Sequence, residues 1–157
     1  MAQNSFCEIY IHLVWRTKHN RRTLGGALER FAHRRLREIG ESLRLDTLAI
    51  DSAWDHIHAY FRWHPSTAVA DAVRTMKSKT SGEWNNPIPN GTRTGDRLYW
   101  QTGYGAVSTR KSDVPMVQRY VDTQKQRHRH DATWEPYERI DYDETNSDDT
   151  ADRDAAA

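Results

Sequence analysis

Trp54-Asp55-His56-Ile57-His58-Ala59-Tyr60-Phe61 is the stretch on which the reading of the fold turns. Ile57, Ala59, Phe61 and Trp63 alternate with His56, His58, Tyr60 and Arg62. A strand sends successive side chains to opposite faces, so this period of two predicts a β-strand with one apolar face. Both imidazoles then share the other face, with Cα atoms about 7 Å apart, near enough for ring nitrogens to converge on one cation. Taken alone, such a pair is more often solvated or hydrogen-bonded than metal-bound.

The flanking sequence extends the pattern. Leu45 to Ile50 reads as a short strand, and Asp51-Ser52-Ala53 turns it straight into the histidine strand, as in an antiparallel hairpin. Further upstream, Cys7, Ile9, Ile11, Leu13 and Trp15 alternate with Glu8, Tyr10, His12 and Val14, which predicts the first strand. It runs into Arg16-Thr17-Lys18-His19-Asn20-Arg21-Arg22, a basic segment that reads equally as a solvated loop and as a phosphate contact. Between the two strands, Leu28, Phe31, Ala32, Leu36, Ile39 and Leu43 fall at helical spacing within 27–43. Downstream, Pro65 and Ser66 open a second helix with Ser66 as its cap; Val69, Val73 and Met76 form its stripe, flanked by Arg74, Lys77 and Lys79. The Gly-, Asn- and Pro-rich run 82–97 predicts a loop.

A fourth strand is expected over Leu98–Ser108, with Gly103 and Gly105 suited to a bulge or a close backbone approach. Ser112 can cap a third helix carrying Val114, Val117 and Val121, with Pro115 in its first turn. The order of elements predicts an α+β, ferredoxin-like (RRM-like) fold, an antiparallel sheet with two helices on one face and a C-terminal helix bearing Tyr120. With Ile57, Ala59 and Phe61 under the helices, His56 and His58 would lie on the uncovered face.

The 157 residues suit one domain over 1–140 and a tail over 141–157. That tail holds seven acidic residues and one arginine with almost no apolar side chain, which predicts disorder; the remainder carries a net charge of +7 and favours a polyanionic partner. Cys7 stands alone, so no internal disulfide can form, and the expected ligands of any metal are His with oxygen or amide groups. No window reaches the ~20 apolar residues of a membrane span and the start lacks a signal peptide, so a cytoplasmic protein without a membrane partner is expected. No phosphate-binding loop of the P-loop kind is present. Arg127-His128-Arg129-His130 is a second His-x-His, but its arginines oppose cation binding and favour a solvated or phosphate-contacting segment. Tyr10, His12, Tyr60, Trp63 and Tyr104 could stack bases, though most read more simply as sheet packing. Trp134 and Tyr137 should dock the end of the fold onto the core.

On the third helix Tyr120 and Gln124 stand four residues apart and share a side. Together with Asp55-His56-Ile57-His58, the start His12-Leu13-Val14-Trp15-Arg16-Thr17-Lys18, the strand Trp100–Ser108 and Arg119-Tyr120-Val121-Asp122-Thr123-Gln124, this resembles the small single-tyrosine HUH transposases. These are carried by insertion sequences of the two-hundred/six-hundred-and-five type and include relatives associated with repetitive extragenic palindromes. The resemblance runs in order over residues 6–140. It implies a homodimer that cuts and rejoins single-stranded DNA next to hairpins at element ends, through a 5′-phosphotyrosine. By position it makes Tyr120 the nucleophile and His56, His58 and Gln124 the ligands of a divalent ion, Mg2+ or Mn2+. In several members the tyrosine helix of one subunit serves the histidines of the other. Arg16, Lys18, Arg21, Arg22, Arg74, Lys77 and Lys79 are the candidate DNA contacts. Ala53-Trp54 stands where the family often has Met-Pro, and Ala59-Tyr60 where it has two bulky aliphatics. A hairpin-binding module without cleavage, or a metal-dependent phosphoesterase working through water, are the other readings of the same residues.

Overall fold

The computed structural model describes residues 5–86 and 95–140; much of the run 82–97 and the whole acidic tail lie outside the described residues. Four strands, β1 (Tyr10–Arg16), β2 (Asp46–Ser52), β3 (His56–Arg62) and β4 (Gly105–Thr109), form an antiparallel sheet in the order β2-β3-β1-β4. Helices α1 (Gly26–Ser42) and α2 (Val69–Asn85) make the two crossovers. Three short helices, α3 (Val114–Asp122), α4 (Gln124–Arg129) and α5 (Glu135–Glu138), follow β4. The strand order and connections are those of the expected ferredoxin-like fold. Among the described residues no helix is long and apolar enough to cross a membrane.

The alternation in β1 and β3 sorts their side chains into two layers. Ile11, Leu13 and Trp15 join Ile57, Ala59 and Phe61 beneath Leu28, Ala32, Leu36 and Ile39 of α1 and Ala72, Val73 and Met76 of α2. Burying each large apolar side chain there contributes about 1.5–3 kcal/mol. The register sets Val14 opposite His58 and His12 opposite Tyr60, so the histidines do face away from α1 and α2.

That second face is covered, not open. Val117 and Val121 of α3 pack on Tyr10, Ala49 and Tyr60, and the Tyr137 ring lies 4.9 Å from that of His12. His56 and His58 are therefore buried. The physical reason is visible in β1 and β3, which carry Tyr10, Val14 and Tyr60 on that face and so offer it a small core of its own.

Several boundaries also differ. Ser66 does not cap α2; it bonds the His64 ring instead, and the helix starts at Val69 behind Ala68. At its other end α2 runs on to Asn85, through Gly82, because Trp84 is buried against Phe31 and its indole N–H donates to the Asp96 carbonyl at 2.8 Å. Cys7 precedes β1 and is half-buried. The fourth strand contracts to Gly105–Thr109, while Trp100 keeps a lone bridge to Thr17. Ser112 lies in a 3-10 turn, and the helix beginning at Val114 has no side-chain cap.

Gly105 meets the close approach expected of it. A Cβ there would land on the Arg139 carbonyl oxygen and 2.8 Å from Val14 Cγ1. Gly105→Ala should therefore push the segment after α5 off the sheet and destabilise the protein by about 1–3 kcal/mol. Urea denaturation checks this; a change under about 0.5 kcal/mol, the range of an ordinary surface substitution, would show that the segment yields freely.

Candidate active site

The tight turn Ala53-Trp54-Asp55 delivers His56 to the start of β3, and two backbone bonds fix it: Leu24 N donates to the Trp54 carbonyl and Thr17 N to the Asp55 carbonyl, both at 2.9 Å. His56 Nδ1 sits 2.7 Å from Asp55 Oδ1. An ionised carboxylate accepts only, so Nδ1 carries a proton and, in the neutral ring, Nε2 presents its lone pair. Burial alone would lower the His56 pKa, but hydrogen bonds to Asp55 and Glu138 outweigh it and raise the value. The same contact with His56 holds the Asp55 carboxyl below its ordinary range.

Two residues further on, His58 is enclosed completely, and burial lowers its pKa to about 4. Its Nδ1 lies 2.8 Å from Nε2 of the equally buried His12. Its Nε2 has no hydrogen-bond partner and points toward Glu138 Oε1, 3.4 Å away.

Glu138 is the hub. Oε2 lies 2.9 Å from His56 Nε2, and Oε1 lies 3.4 Å from both His58 Nε2 and His128 Nε2. Burial would raise its pKa, yet the three imidazoles around it hold it far below the usual carboxylate range. His128 Nε2 in turn is 3.0 Å from His56 Nε2. His56, His58, His128 and Glu138 offer four ligand atoms within 4.8 Å of one another.

Tyr120 belongs to the same cluster. Its buried hydroxyl donates to Glu138 Oε1 at 2.5 Å and accepts from the Trp134 N–H at 2.9 Å. The ring lies 6.0 Å from His58 and stacks on Trp134 at 4.7 Å, with the Arg127 guanidinium 4.8 Å above it. Burial first, and the carboxylate second, raise the phenol's pKa above its ordinary value.

Gln124 is separated from Tyr120 by a break at Thr123, where α3 ends and α4 begins. Its Nε2 donates to the Tyr120 carbonyl at 2.7 Å, its backbone N–H donates to Asp51, and its Oε1 is buried without a partner. Of the basic residues, Arg22 lies beside the histidine turn, 4.7 Å above the Trp54 ring. Arg74 pairs with Asp71, Lys77 donates to the carbonyls of Gln101 and Gly103, and exposed Lys79 shares their helix, which packs on the sheet face opposite the histidines. Arg16, Lys18 and Arg21 follow one another along the end of β1 and the turn after it.

Sequence reasoning set His128 aside because of its arginine neighbours and passed over Glu138. For His128 a signal existed: Tyr120, Gln124 and His128 recur every four residues, a single helical stripe. Glu138 had none, since it reaches the site through a four-residue helix whose docking no local pattern announces.

The set fits a divalent cation. His56 donates its Nδ1 proton to Asp55, and its Nε2 lies 2.9 Å from Glu138 Oε2, a contact that the protonated ring closes with a proton and that the neutral ring could close only around a cation. Buried, unpartnered His58 Nε2 converges on the same carboxylate.

Solved structures resemble this chain. One is a candidate transposase of Deinococcus radiodurans R1, at 18% identity and a TM-score of 0.57, over 79% of this chain and 96% of that one. Another is a REP-associated tyrosine transposase bound to a REP hairpin, at 10% identity and a TM-score of 0.57, over 82% of this chain and 74% of that one. At such identities the likeness speaks to the fold. No curated protein sequence matches this chain. The family described as "Transposase IS200 like" matches residues 5–124, more than half the chain and inclusive of His56, His58, Tyr120 and Gln124, and this protein belongs to that family.

Proposed function

We propose that this protein cuts and rejoins single-stranded DNA at hairpin-flanked ends of a mobile element, with Tyr120 as nucleophile. The observation that carries the reading is the convergence of the Tyr120 phenol and the Nε2 atoms of His56 and His58 on the two oxygens of one buried carboxylate, Glu138. Arg16, Lys18, Arg21, Arg22, Arg74, Lys77 and Lys79 are proposed to contact the DNA backbone.

Phosphodiesters resist attack because their oxygens carry negative charge and the sugar oxygen is a poor leaving group. A divalent ion, Mg2+ or Mn2+, held by His56, His58 and Glu138 with His128 beside them, would draw off that charge. Gln124, the third ligand that the resemblance implies, brings a buried and unpaired Oε1 to the same region of the fold. Asp55 keeps the His56 lone pair turned inward, and His12 fixes the ring of His58 from behind. Trp134 covers one face of the phenol and restricts water. Tyr120 loses its proton, its oxygen bonds to phosphorus, and the 3′ oxygen leaves as a hydroxyl. The resulting phosphotyrosine keeps the energy of the broken bond, so a second 3′-hydroxyl can reverse the step onto another strand without ATP.

The phenol ring lies 6.0 Å from a histidine of its own chain, which supports a site completed within one polypeptide, whether or not the protein is a homodimer. Hairpin-bearing single-stranded DNA with Mn2+ should give a covalent adduct on a denaturing gel. Tight binding without adduct under any divalent ion would replace this reading with that of a silent hairpin-binding module.

His12 offers an independent check. His12→Ala leaves His58 Nδ1 facing a buried void, and loss of such an outer partner costs about 10–100-fold in metal affinity in comparable sites. Calorimetric titration with Mn2+ should show at least about a tenfold loss; unchanged affinity would mean that His58 orients without help.

A further inference from the structure

Trp54, immediately before the Asp55-His56 pair, gathers three cations on its indole. Arg22 comes from the segment before α1 at 4.7 Å, and Lys125 and Arg129 come from α4 at 5.6 and 5.4 Å. Lys125 is neutralised by Glu29 at 2.5 Å and also donates to the Ser52 carbonyl. Arg22 and Arg129 are exposed, and neither has a carboxylate partner among the described residues. Cation–π contacts of this kind are weak at exposed sites, so two like charges drawn to one ring call for an anion to share.

The position says which anion. Arg129 follows His128, a member of the metal-capable cluster, and Trp54 lies two residues before His56, so one turn and one helix build both the cluster and this patch. We infer that Trp54, Arg22 and Arg129 form a subsite for the nucleotide next to the phosphate being cut: its phosphate draws the two exposed guanidinium groups off the indole, and its base stacks on the ring they leave. The inference rests on the nucleic-acid reading above. A planar π surface between paired donors suits single-stranded DNA, whose bases are free to stack, and does not suit a duplex, whose bases are not.

The test is fluorescence anisotropy with a fluorescein-labelled 12-nucleotide single strand in EDTA, so that no cleavage intervenes, titrated from 50 to 200 mM salt. Each phosphate contact on a single strand contributes about 0.7 to the slope of log affinity against log salt. Combined Arg22→Gln and Arg129→Gln should lower the slope by about 1.4, and Trp54→Ala should weaken binding about tenfold at fixed salt, with Trp54→Phe restoring most of it. Should Trp54→Ala fail to fold, the arginine pair, being exposed, still decides the question. An unchanged slope in the double variant, or a wild-type protein that does not bind the strand, overturns the inference. An adduct at Tyr120 with an unchanged slope removes this subsite and leaves the proposed chemistry standing. A lowered slope without any adduct does the reverse.

Discussion

Tyr120→Phe should abolish covalent attachment to DNA while leaving the protein folded. The substitution removes one oxygen and no ring. The phenylalanine would keep the stack on Trp134 and the contacts with His58 and Tyr137 that the aromatic body makes. It would orphan the Trp134 backbone N–H, which now donates to the phenol oxygen; that donor is only partly buried, so the cost falls at the low end of the ~1–3 kcal/mol for a buried one. Adduct formation needs the missing oxygen itself, so it should fall by at least about a thousandfold and in practice to background. Gel electrophoresis under denaturing conditions reads the adduct, and circular dichroism melting confirms the fold. If strand cleavage persists in this variant but fails in His56→Ala and His58→Ala, water is the nucleophile and the protein is a metal-dependent phosphoesterase.

The sequence made the sheet legible because β1 and β3 are governed by a local rule, while β2 departs from it at a register shift between Thr47 and Ala49. Alternation within seven residues decides which face each side chain takes, and Leu13, Ile57 and Phe61 could only go under α1 and α2. The same rule placed His56 and His58 on one face together. What alternation does not say is whether a face is covered, because that depends on elements more than fifty residues away. Val117 and Val121 are few, and their partners Tyr10 and Tyr60 carry hydroxyls, so this smaller core leaves a faint apolar signature.

The site was half legible for the same reason. His56 and His58 are neighbours on a strand and Tyr120 sits on a marked helix, so each had a pattern to betray it. Glu138 acts through tertiary contacts, whereas Asp55 acts on the histidine next to it in sequence. Asp55 was legible only as the residue that opens the histidine motif, and Glu138 had no pattern at all, since only folding brings it within 3.4 Å of three imidazoles. Cation repulsion was the argument against His128, and it fails because Arg127 turns away to Tyr120 and Trp134 while Arg129 turns to Trp54.

Glu138→Gln should separate the two things this carboxylate can do. Glutamine keeps the size and retains an oxygen that can accept from Tyr120, but it removes the only negative charge among the four clustered side chains. A unit charge about 4 Å from another is worth about 4 kcal/mol at an effective dielectric of 20, and a divalent ion doubles it before desolvation is subtracted. Hard ions depend on that charge more than borderline ones, which imidazole holds well. Mn2+ affinity should therefore fall by about a hundredfold or more while Ni2+ affinity falls less, both measured by calorimetry. Adduct formation with Mn2+ should fall with it. The opposite result is informative in its own right: unchanged Mn2+ affinity with faster adduct formation would mean that Glu138 is no ligand, and that its hydrogen bond holds the phenol back until DNA displaces it.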